Sequence, residues 1–261
     1  MSVLHTEDLE IYYEINGKGN LLVLIHGLGS GTRDWENQVP ALARHHRVIT
    51  FDVRGHGRTG APPGPYSVPL FASDTARLME ALGVGPAHIA GLSMGGMIAF
   101  QLALDRPELV RSLSIINSGP ELILHTVGER AVFCHRKLIV RVFGMRQMGK
   151  MLAKNLLPEP GQKALARRLV RRWGRNDRRA YLAALDAIIG WSVADRIHTI
   201  TCPTLIMSAD KDYTPVAWKA QYAARIPGAE LVIIRNSRHL SPLDQPVQVN
   251  RALAEFLSQG G

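Results

Sequence analysis

The sequence predicts an α/β protein, with a doubly wound, mostly parallel sheet and a helical cap insertion. Short apolar runs of strand length recur along the chain and helical patterns separate them, which is typical of a parallel sheet covered by helices on both faces. One long segment, residues 120–196, breaks this alternation and has only helical patterns. We therefore expect residues 1–119 and 197–261 to form the core, and residues 120–196 to form the cap.

The predicted strands are continuously apolar, as expected for strands that are buried on both faces. An N-terminal pair is predicted around LEIYYEI. The later strands are LLVLI at 21–25, HRVITF at 46–51, AHIAGL at 87–92, RSLSIIN at 111–117, TLIMSA at 204–209 and ELVIIR at 230–235. In sheets of this type, reactive groups gather in the loops that follow the carboxyl ends of the strands.

Length and composition exclude several classes of protein. The chain has 261 residues, 46% of them hydrophobic and 20% charged, which is ordinary globular usage and argues against disorder and disulfide scaffolds. Two cysteines, Cys134 and Cys202, cannot supply a four-ligand zinc site alone. We expect a reducing, cytoplasmic setting, because the sequence has neither a signal peptide pattern nor an apolar run long enough to span a membrane.

The net charge of +9 is concentrated in the predicted cap. Residues 120–196 contain 16 lysines and arginines and 6 acidic residues, whereas the rest of the chain has 15 basic and 16 acidic residues. Five cap arginines recur at spacings of three and four, which would place them on one helix face: Arg168, Arg171, Arg172, Arg175 and Arg179. Such a face is either simply solvated or able to dock an acidic partner.

The strongest local motif is Gly91-Leu92-Ser93-Met94-Gly95, which lies between an apolar strand and a helix predicted to start near Gly96. This context is that of a nucleophile elbow, where a serine occupies a sharp turn from strand to helix. The turn leaves no room for side chains two positions before and after the serine, which explains why both positions are glycine.

A serine nucleophile requires a general base and a group that orients the base. Of the ten histidines, His239 is the one that follows a late strand in a position to lie beside the elbow. A carboxylate would then fix the imidazole tautomer. Asp210 and Asp212 both follow the strand TLIMSA, and either could supply it.

With these motifs, the chain resembles the α/β-hydrolase family. His26-Gly27-Leu28-Gly29 is similar to the family's oxyanion loop, and Asp52-Val53-Arg54-Gly55-His56-Gly57 is similar to its second signature turn. The resemblance implies a triad in the order Ser93, Asp212, His239, with the backbone N–H groups of Leu28 and Met94 as the oxyanion hole. It implies neither a cofactor nor a metal.

Some positions depart from the family pattern. Ala209 and Arg238 replace glycines, Thr59 replaces a serine, and the spacing from Asp212 to Pro215 is one residue short. The last departure leaves Asp210 as the alternative acid.

The resemblance implies the substrate class. A serine nucleophile argues against the dehalogenases and epoxide hydrolases of the family, and Leu92 argues against its carbon-carbon hydrolases. The first hundred residues are most similar to carboxylesterases and 3-oxoadipate enol-lactonases, so we expect hydrolysis of a small ester or lactone.

The resemblance also implies that the cap forms a lid over the nucleophile, with the aromatic residues Phe133, Phe143, Trp173 and Trp191 as candidate pocket walls. Two alternatives stay open. One is an acyl-carrier-protein methyl ester esterase that docks its carrier on Arg168, Arg171, Arg172 and Arg175, and the other is a non-catalytic ligand-binding member. No nucleic-acid module is found, and few aromatic residues interleave with the arginines. The oligomeric state is not predicted.

Overall fold

The computed structural model of the protein describes residues 2–259. Its strands are β1 (Ser2–His5), β2 (Glu10–Asn16), β3 (Asn20–Ile25), β4 (His46–Phe51), β5 (Ala87–Leu92), β6 (Val110–Ile116), β7 (Thr204–Ala209) and β8 (Glu230–Ile234). Its α-helices are α1 (Val39–Leu42), α2 (Val68–Ala81), α3 (Met94–Asp105), α4 (Val127–Leu156), α5 (Lys163–Trp173), α6 (Arg178–Ile188), α7 (Val216–Ala223), α8 (Ser241–Asp244) and α9 (Pro246–Gln259).

The strands form one eight-stranded sheet in the order β1-β2-β4-β3-β5-β6-β7-β8. The β1-β2 and β2-β4 pairs are antiparallel, and all pairs from β4 to β8 are parallel. The chain order reverses beside β3, so strands are added on both sides of it. The predicted fold class is confirmed.

Burial explains the continuous apolar runs of the central strands. Every residue of β5 and β7 is buried, because helices cover both faces of the sheet. Two hydrophobic clusters result, one containing Phe100 and Phe71 and the other containing Trp35 and Phe256. The sheet is therefore a rigid support for the loops at its carboxyl edge.

Three α-helices, α4 to α6, lie between β6 and β7. A capping box at Thr126 and Glu129 starts α4, and the helix is kinked at Gly144, where φ is +77°. Side chains from these helices contribute to both hydrophobic clusters, including Tyr181 in the first and Trp173 in the second. The three helices thus pack onto the sheet domain.

The structure corrects the predicted arginine face. Helix α5 ends at Trp173, with Gly174 at its C-cap, and a new helix starts after the Asp177 N-cap. Arg175 therefore lies in the connecting turn and Arg179 in α6, so the five arginines do not share one helix face. The spacing was misleading because a helix end at Gly174 breaks the period.

Candidate active site

Ser93 lies between β5 and α3 in a strained backbone conformation, with φ at +55° and ψ at −119°. A positive φ costs free energy for a residue with a β-carbon, and such strain is typical of functional turns. The helix starts at Met94, two residues before the sequence suggests, because Ser93 itself is its N-cap residue. The hydroxyl thereby projects from the carboxyl edge of the sheet.

The glycines around Ser93 are required by close backbone contacts. A β-carbon on Gly91 would lie 2.2 Å from the carbonyl oxygen of Gly95, and one on Gly95 would lie 2.1 Å from the carbonyl oxygen of Ile25. Neither contact is possible for a real side chain, so the sharp turn depends on both glycines.

The loop after β3 approaches Ser93 closely. A β-carbon on Gly27 would lie 3.5 Å from the β-carbon of Ser93. Leu28 follows Gly27 on this loop, and Met94 occupies the first position of α3, where an N–H group has no partner within the helix. Within residues 2–259, no hydrogen-bond acceptor pairs with the N–H of Leu28 or Met94. Both groups are thus available beside Ser93.

Asp212 and His239 form a hydrogen-bonded pair, with 2.9 Å between Asp212 Oδ1 and His239 Nδ1. The Asp212 side chain has no exposed surface, and the His239 side chain is 8% exposed. Burial alone would raise the pKa of Asp212, but the hydrogen bond from His239 and the charges of His239 and Lys219 lower it below its usual range. Asp212 is therefore a carboxylate that can orient the imidazole.

Asp210, the alternative acid, is used differently. Its carboxylate accepts hydrogen bonds from the backbone N–H groups of Asn236 and Ser237, at 3.0 and 3.1 Å. Burial would raise the pKa of Asp210, but these bonds and nearby positive charges lower it. Asp210 thus fixes the loop that leads to His239, and Asp212 is the carboxylate in contact with the imidazole.

Lys219 is a buried cation that sequence reasoning missed. Its side chain has no exposed surface, and its ammonium group lies 2.7 Å from Asp212 Oδ2. It donates further hydrogen bonds to the carbonyl and hydroxyl oxygens of Thr214, at 2.9 and 2.6 Å, which uses all three ammonium protons. Burial lowers the pKa of Lys219, while Asp212 opposes that shift. One carboxylate oxygen is therefore held by Lys219 and the other by His239.

Tyr213 is the second residue that was missed, and its side chain contacts the imidazole of His239. Its hydroxyl is 2.7 Å from His239 Nε2. The two rings lie 4.2 Å apart at 31°. No direct hydrogen bond joins Ser93 to His239 in the described part of the chain. Instead, the Tyr213 hydroxyl is the hydrogen-bond partner of His239 Nε2.

The Tyr213 hydroxyl is a neutral donor in this position. Desolvation of the hydroxyl, together with the negative charge of Asp212, raises its pKa well above the usual value, against the opposing effects of Arg136 and Ser93. The residue as a whole is 66% exposed, so its ring borders solvent while its hydroxyl points inward.

Asn117, the third missed residue, ties the two reactive loops together. It follows β6 with φ at +45°, and its amide accepts a hydrogen bond from the N–H of Ala209 at 2.7 Å and donates to the carbonyl of His239 at 2.9 Å. A polar residue at the carboxyl end of an apolar strand was the available signal. The amide fixes the loops that carry Asp212 and His239.

Comparison with known proteins agrees with this geometry. A family model described as alpha/beta hydrolase fold matches residues 20–129. A proposed carbamate hydrolase, RutD, from Pseudomonas savastanoi pv. phaseolicola is 30% identical over 260 residues, covering 91% of this chain and 93% of that protein. The chain belongs to the alpha/beta hydrolase fold family.

Two further relatives of this hydrolase are informative. The (E)-2-((N-methylformamido)methylene)succinate hydrolase of Acinetobacter baylyi is 28% identical, with 94% of this chain and 93% of that protein covered. The enol-lactonase from Burkholderia xenovorans LB400 superimposes with a TM-score of 0.92 at 24% identity, with 98% of this chain and 100% of that chain covered. The enol-lactonase therefore shares the fold of this chain, and the Acinetobacter baylyi protein is a hydrolase similar to it over nearly the full length.

Two buried histidines hold the hydrolase loops around the site. His26 contacts the carbonyl oxygen of Gly27 through Nδ1 at 2.8 Å and accepts from the N–H of Val53 through Nε2 at 2.9 Å. Burial lowers the pKa of His26 to about 4 and that of His56 to about 3. Both are neutral at physiological pH; His26 links the two signature loops, and the ring of His56 packs against that of His26.

The aromatic residues that were candidate pocket walls have different environments. Phe143 is 67% exposed, because its position beside the kink at Gly144 turns its side chain to solvent. The prediction that Phe143 lines a pocket is therefore wrong. Trp173 packs in the second hydrophobic cluster, and Trp191 donates from Nε1 to Gln101 at 2.8 Å. Phe133 is half-buried against the first cluster.

None of the helices described within residues 2–259 combines the length and the hydropathy that a membrane-spanning segment needs. No group of three or more histidine, cysteine or acidic side chains in that range is arranged to hold a metal ion.

Proposed function

We propose that the protein is a serine hydrolase that cleaves small carboxylic esters or lactones through an acyl-serine intermediate. The observation that carries this proposal is the pairing of Asp212 with His239 at 2.9 Å beside a serine on a strained elbow. A carboxylate, an imidazole and a hydroxyl in this order are the components of nucleophilic acyl transfer.

In the first half of the proposed reaction, Ser93 attacks the substrate carbonyl. His239 Nε2 accepts the hydroxyl proton as the new bond forms, and Asp212 holds the imidazole in the tautomer that presents Nε2. Tyr213 occupies Nε2 in the resting structure, so its exposed ring swings outward when substrate enters. The imidazole can then bond directly to Ser93.

The negative charge that develops on the carbonyl oxygen is stabilised by the N–H groups of Leu28 and Met94. Met94 is the first residue of α3, and the dipole of that helix favours negative charge at its N-terminus. Such donors contribute on the order of 3 kcal/mol each to transition-state stabilisation.

The second half of the reaction releases the acid. His239 gives its proton to the leaving alcohol oxygen, and the acyl group stays on Ser93. A water molecule then attacks the acyl carbonyl, His239 takes the proton of that water, and collapse of the intermediate returns the proton to Ser93.

The relatives support carbonyl hydrolysis in general. One is named for a carbamate and another for a methylformamido-methylene succinate. Relatives that match nearly the whole chain are thus named for different carbonyl compounds. The choice of esters and lactones is our proposal from the serine nucleophile and from the family resemblance of the first hundred residues.

Carrier-protein docking is less well supported. Arg168 and Arg172 both form ion pairs with Glu36, at 2.5 and 2.6 Å, so their charges are engaged within the chain. We therefore propose a free small molecule as substrate. Cys134 and Cys202 are free thiols, which fits the proposed cytoplasmic setting.

The test is hydrolysis of a panel of p-nitrophenyl esters and lactones by the wild-type protein and by Ser93→Ala. We expect turnover by the wild type and a loss of at least about 1,000-fold in kcat in the variant. Tight ligand binding with turnover equal to that of Ser93→Ala would instead identify a non-catalytic ligand-binding member.

A further inference from the structure

A side chain of the cap helices reaches the oxyanion loop through Tyr181. Tyr181 on α6 is almost fully buried, and its ring packs against Gly29, where a β-carbon would lie 2.8 Å from Cε2. Its hydroxyl accepts a hydrogen bond from Arg136 Nε at 2.7 Å. The guanidinium of Arg136 is therefore one tyrosine side chain away from the loop that carries Leu28.

The charge of Arg136 has no acidic partner. Within residues 2–259, no aspartate or glutamate lies within ion-pair distance of its guanidinium, although other cap cations are paired: Lys137 with Asp186, and Arg168 and Arg172 with Glu36. Arg136 is half-buried, and Nε is its only nitrogen engaged by Tyr181. The remaining guanidinium donors are available to a ligand.

The charge of Arg136 also acts on the Tyr213 hydroxyl. Burial is the main cause that raises the pKa of the Tyr213 hydroxyl, and the charge of Arg136 opposes that shift. The Asp212 charge is already balanced by Lys219, and burial keeps His26 and His56 neutral. Arg136 is thus a positive charge without an acidic partner in the described residues, and Tyr181 links it to the loop that follows β3.

We propose that Arg136 is a substrate-binding residue that recognises a carboxylate on the acid portion of the substrate, so that the preferred substrates are half-esters or lactones of dicarboxylic acids. Guanidinium and carboxylate match in geometry and charge. Tyr181 pre-positions the guanidinium, because its buried ring fixes the position of the hydroxyl that accepts the hydrogen bond from Arg136 Nε. This inference rests on the proposed function, since it assigns the substrate class of the same site.

The experiment compares two nearly isosteric series. One contains the mono-p-nitrophenyl esters of succinic, glutaric and adipic acids, and the other contains the same esters with the free carboxylate replaced by a carboxamide. For the best chain length, we expect the wild type to have at least a 10-fold higher kcat/KM for the carboxylate form. Increasing salt should reduce this preference, because it screens the attraction.

Arg136→Gln should remove the preference. We expect KM for the carboxylate ester to rise on the order of 10-fold to 100-fold, the scale of a lost charge-assisted hydrogen bond, and the carboxamide ester to change less than about 2-fold. Arg136→Lys should keep part of the preference. Arg130→Gln is the matched control, because Arg130 is exposed on the same helix and its replacement changes the net charge equally.

The outcomes separate this inference from the proposed function. No preference of the wild type for carboxylate at any chain length, or equal losses on both ester series in Arg136→Gln, overturns the carboxylate site. Absence of turnover on every ester overturns the proposed function alone. In that case, calorimetric titration with glutarate still decides the inference: binding that is lost in Arg136→Gln supports it, and binding that is unchanged or absent contradicts it.

Discussion

Replacing Lys219 by methionine removes the cation that neutralises Asp212 and leaves a charged carboxylate in a buried site. The two groups lie 2.7 Å apart, and neither side chain is exposed. At an effective dielectric constant of about 20, their gross attraction is about 6 kcal/mol. Part of this is offset by desolvation, and removing one partner of a buried pair typically costs about 3–5 kcal/mol.

We therefore expect the free energy of unfolding of Lys219→Met to fall by about 3–5 kcal/mol at pH 7. Such a loss lowers the melting temperature of a chain of this size by roughly 10 °C. The assay is urea unfolding followed by circular dichroism, with the midpoint and the slope fitted separately. Lys211→Met is the matched control, because Lys211 is exposed on the loop that carries Asp212.

A double variant sharpens the result. In Lys219→Met with Asp212→Asn, the buried charge is gone, so the double variant should be more stable than the sum of the two single changes predicts. A buried ion pair of this kind is contradicted by a destabilisation under about 1 kcal/mol, equal to that of the Lys211→Met control, or by strict additivity in the double variant.

The remaining predictions concern Tyr213, His26 and Gly91. Tyr213→Phe removes the hydroxyl that competes for His239 Nε2 at 2.7 Å, so kcat/KM for a p-nitrophenyl ester should rise about 2-fold to 10-fold. The control is Tyr66→Phe, because the Tyr66 hydroxyl donates to the carbonyl of Pro62; this change should leave kcat/KM unaltered. A 10-fold or larger fall of kcat/KM in Tyr213→Phe would instead show that the Tyr213 hydroxyl takes part in the reaction. The folded-state pKa of His26 is lowered to about 4 by burial, below the unfolded value of about 6.5. The unfolded state therefore binds the proton first as pH falls, and up to about 3 kcal/mol of stability present above pH ~6.5 is lost by pH ~4. Urea unfolding across this range measures the loss, which should be smaller in His26→Gln, and a flat profile in the wild type would contradict it. A β-carbon on Gly91 would lie 2.2 Å from the carbonyl oxygen of Gly95, so Gly91→Ala should destabilise the fold by roughly 2 kcal/mol or more and abolish activity. Gly83→Ala is the control: no atom lies within 4 Å of the added β-carbon, although φ is +60°, so this change should destabilise the fold by only about 1 kcal/mol. Normal activity and stability in Gly91→Ala would argue against the elbow geometry.

The sequence predicted the sheet well because its signal is local. Each central strand is an apolar run, and the observed bounds of β4, β5 and β7 coincide with the predicted runs. The elbow was also visible, because a glycine two residues before and after Ser93 is a steric requirement of a turn within five consecutive residues.

Other features could not be predicted, since they depend on which distant side chains converge. Tyr213 is adjacent to Asp212 in sequence, but its hydroxyl meets His239 only because the loop after β7 folds over the imidazole. Lys219 is the single charged residue of α7, and nothing in the sequence around it indicates that its ammonium group is buried against Asp212. The arginine spacing failed for a local reason, the helix end at Gly174.

The nucleophilic role of Ser93 is tested most directly by reaction with a fluorophosphonate, followed by intact mass measurement and peptide mapping. We expect a single adduct, located on Ser93, which forms in the wild type and is absent from Ser93→Ala. An adduct on another residue, or ester turnover that persists in Ser93→Ala, would contradict it.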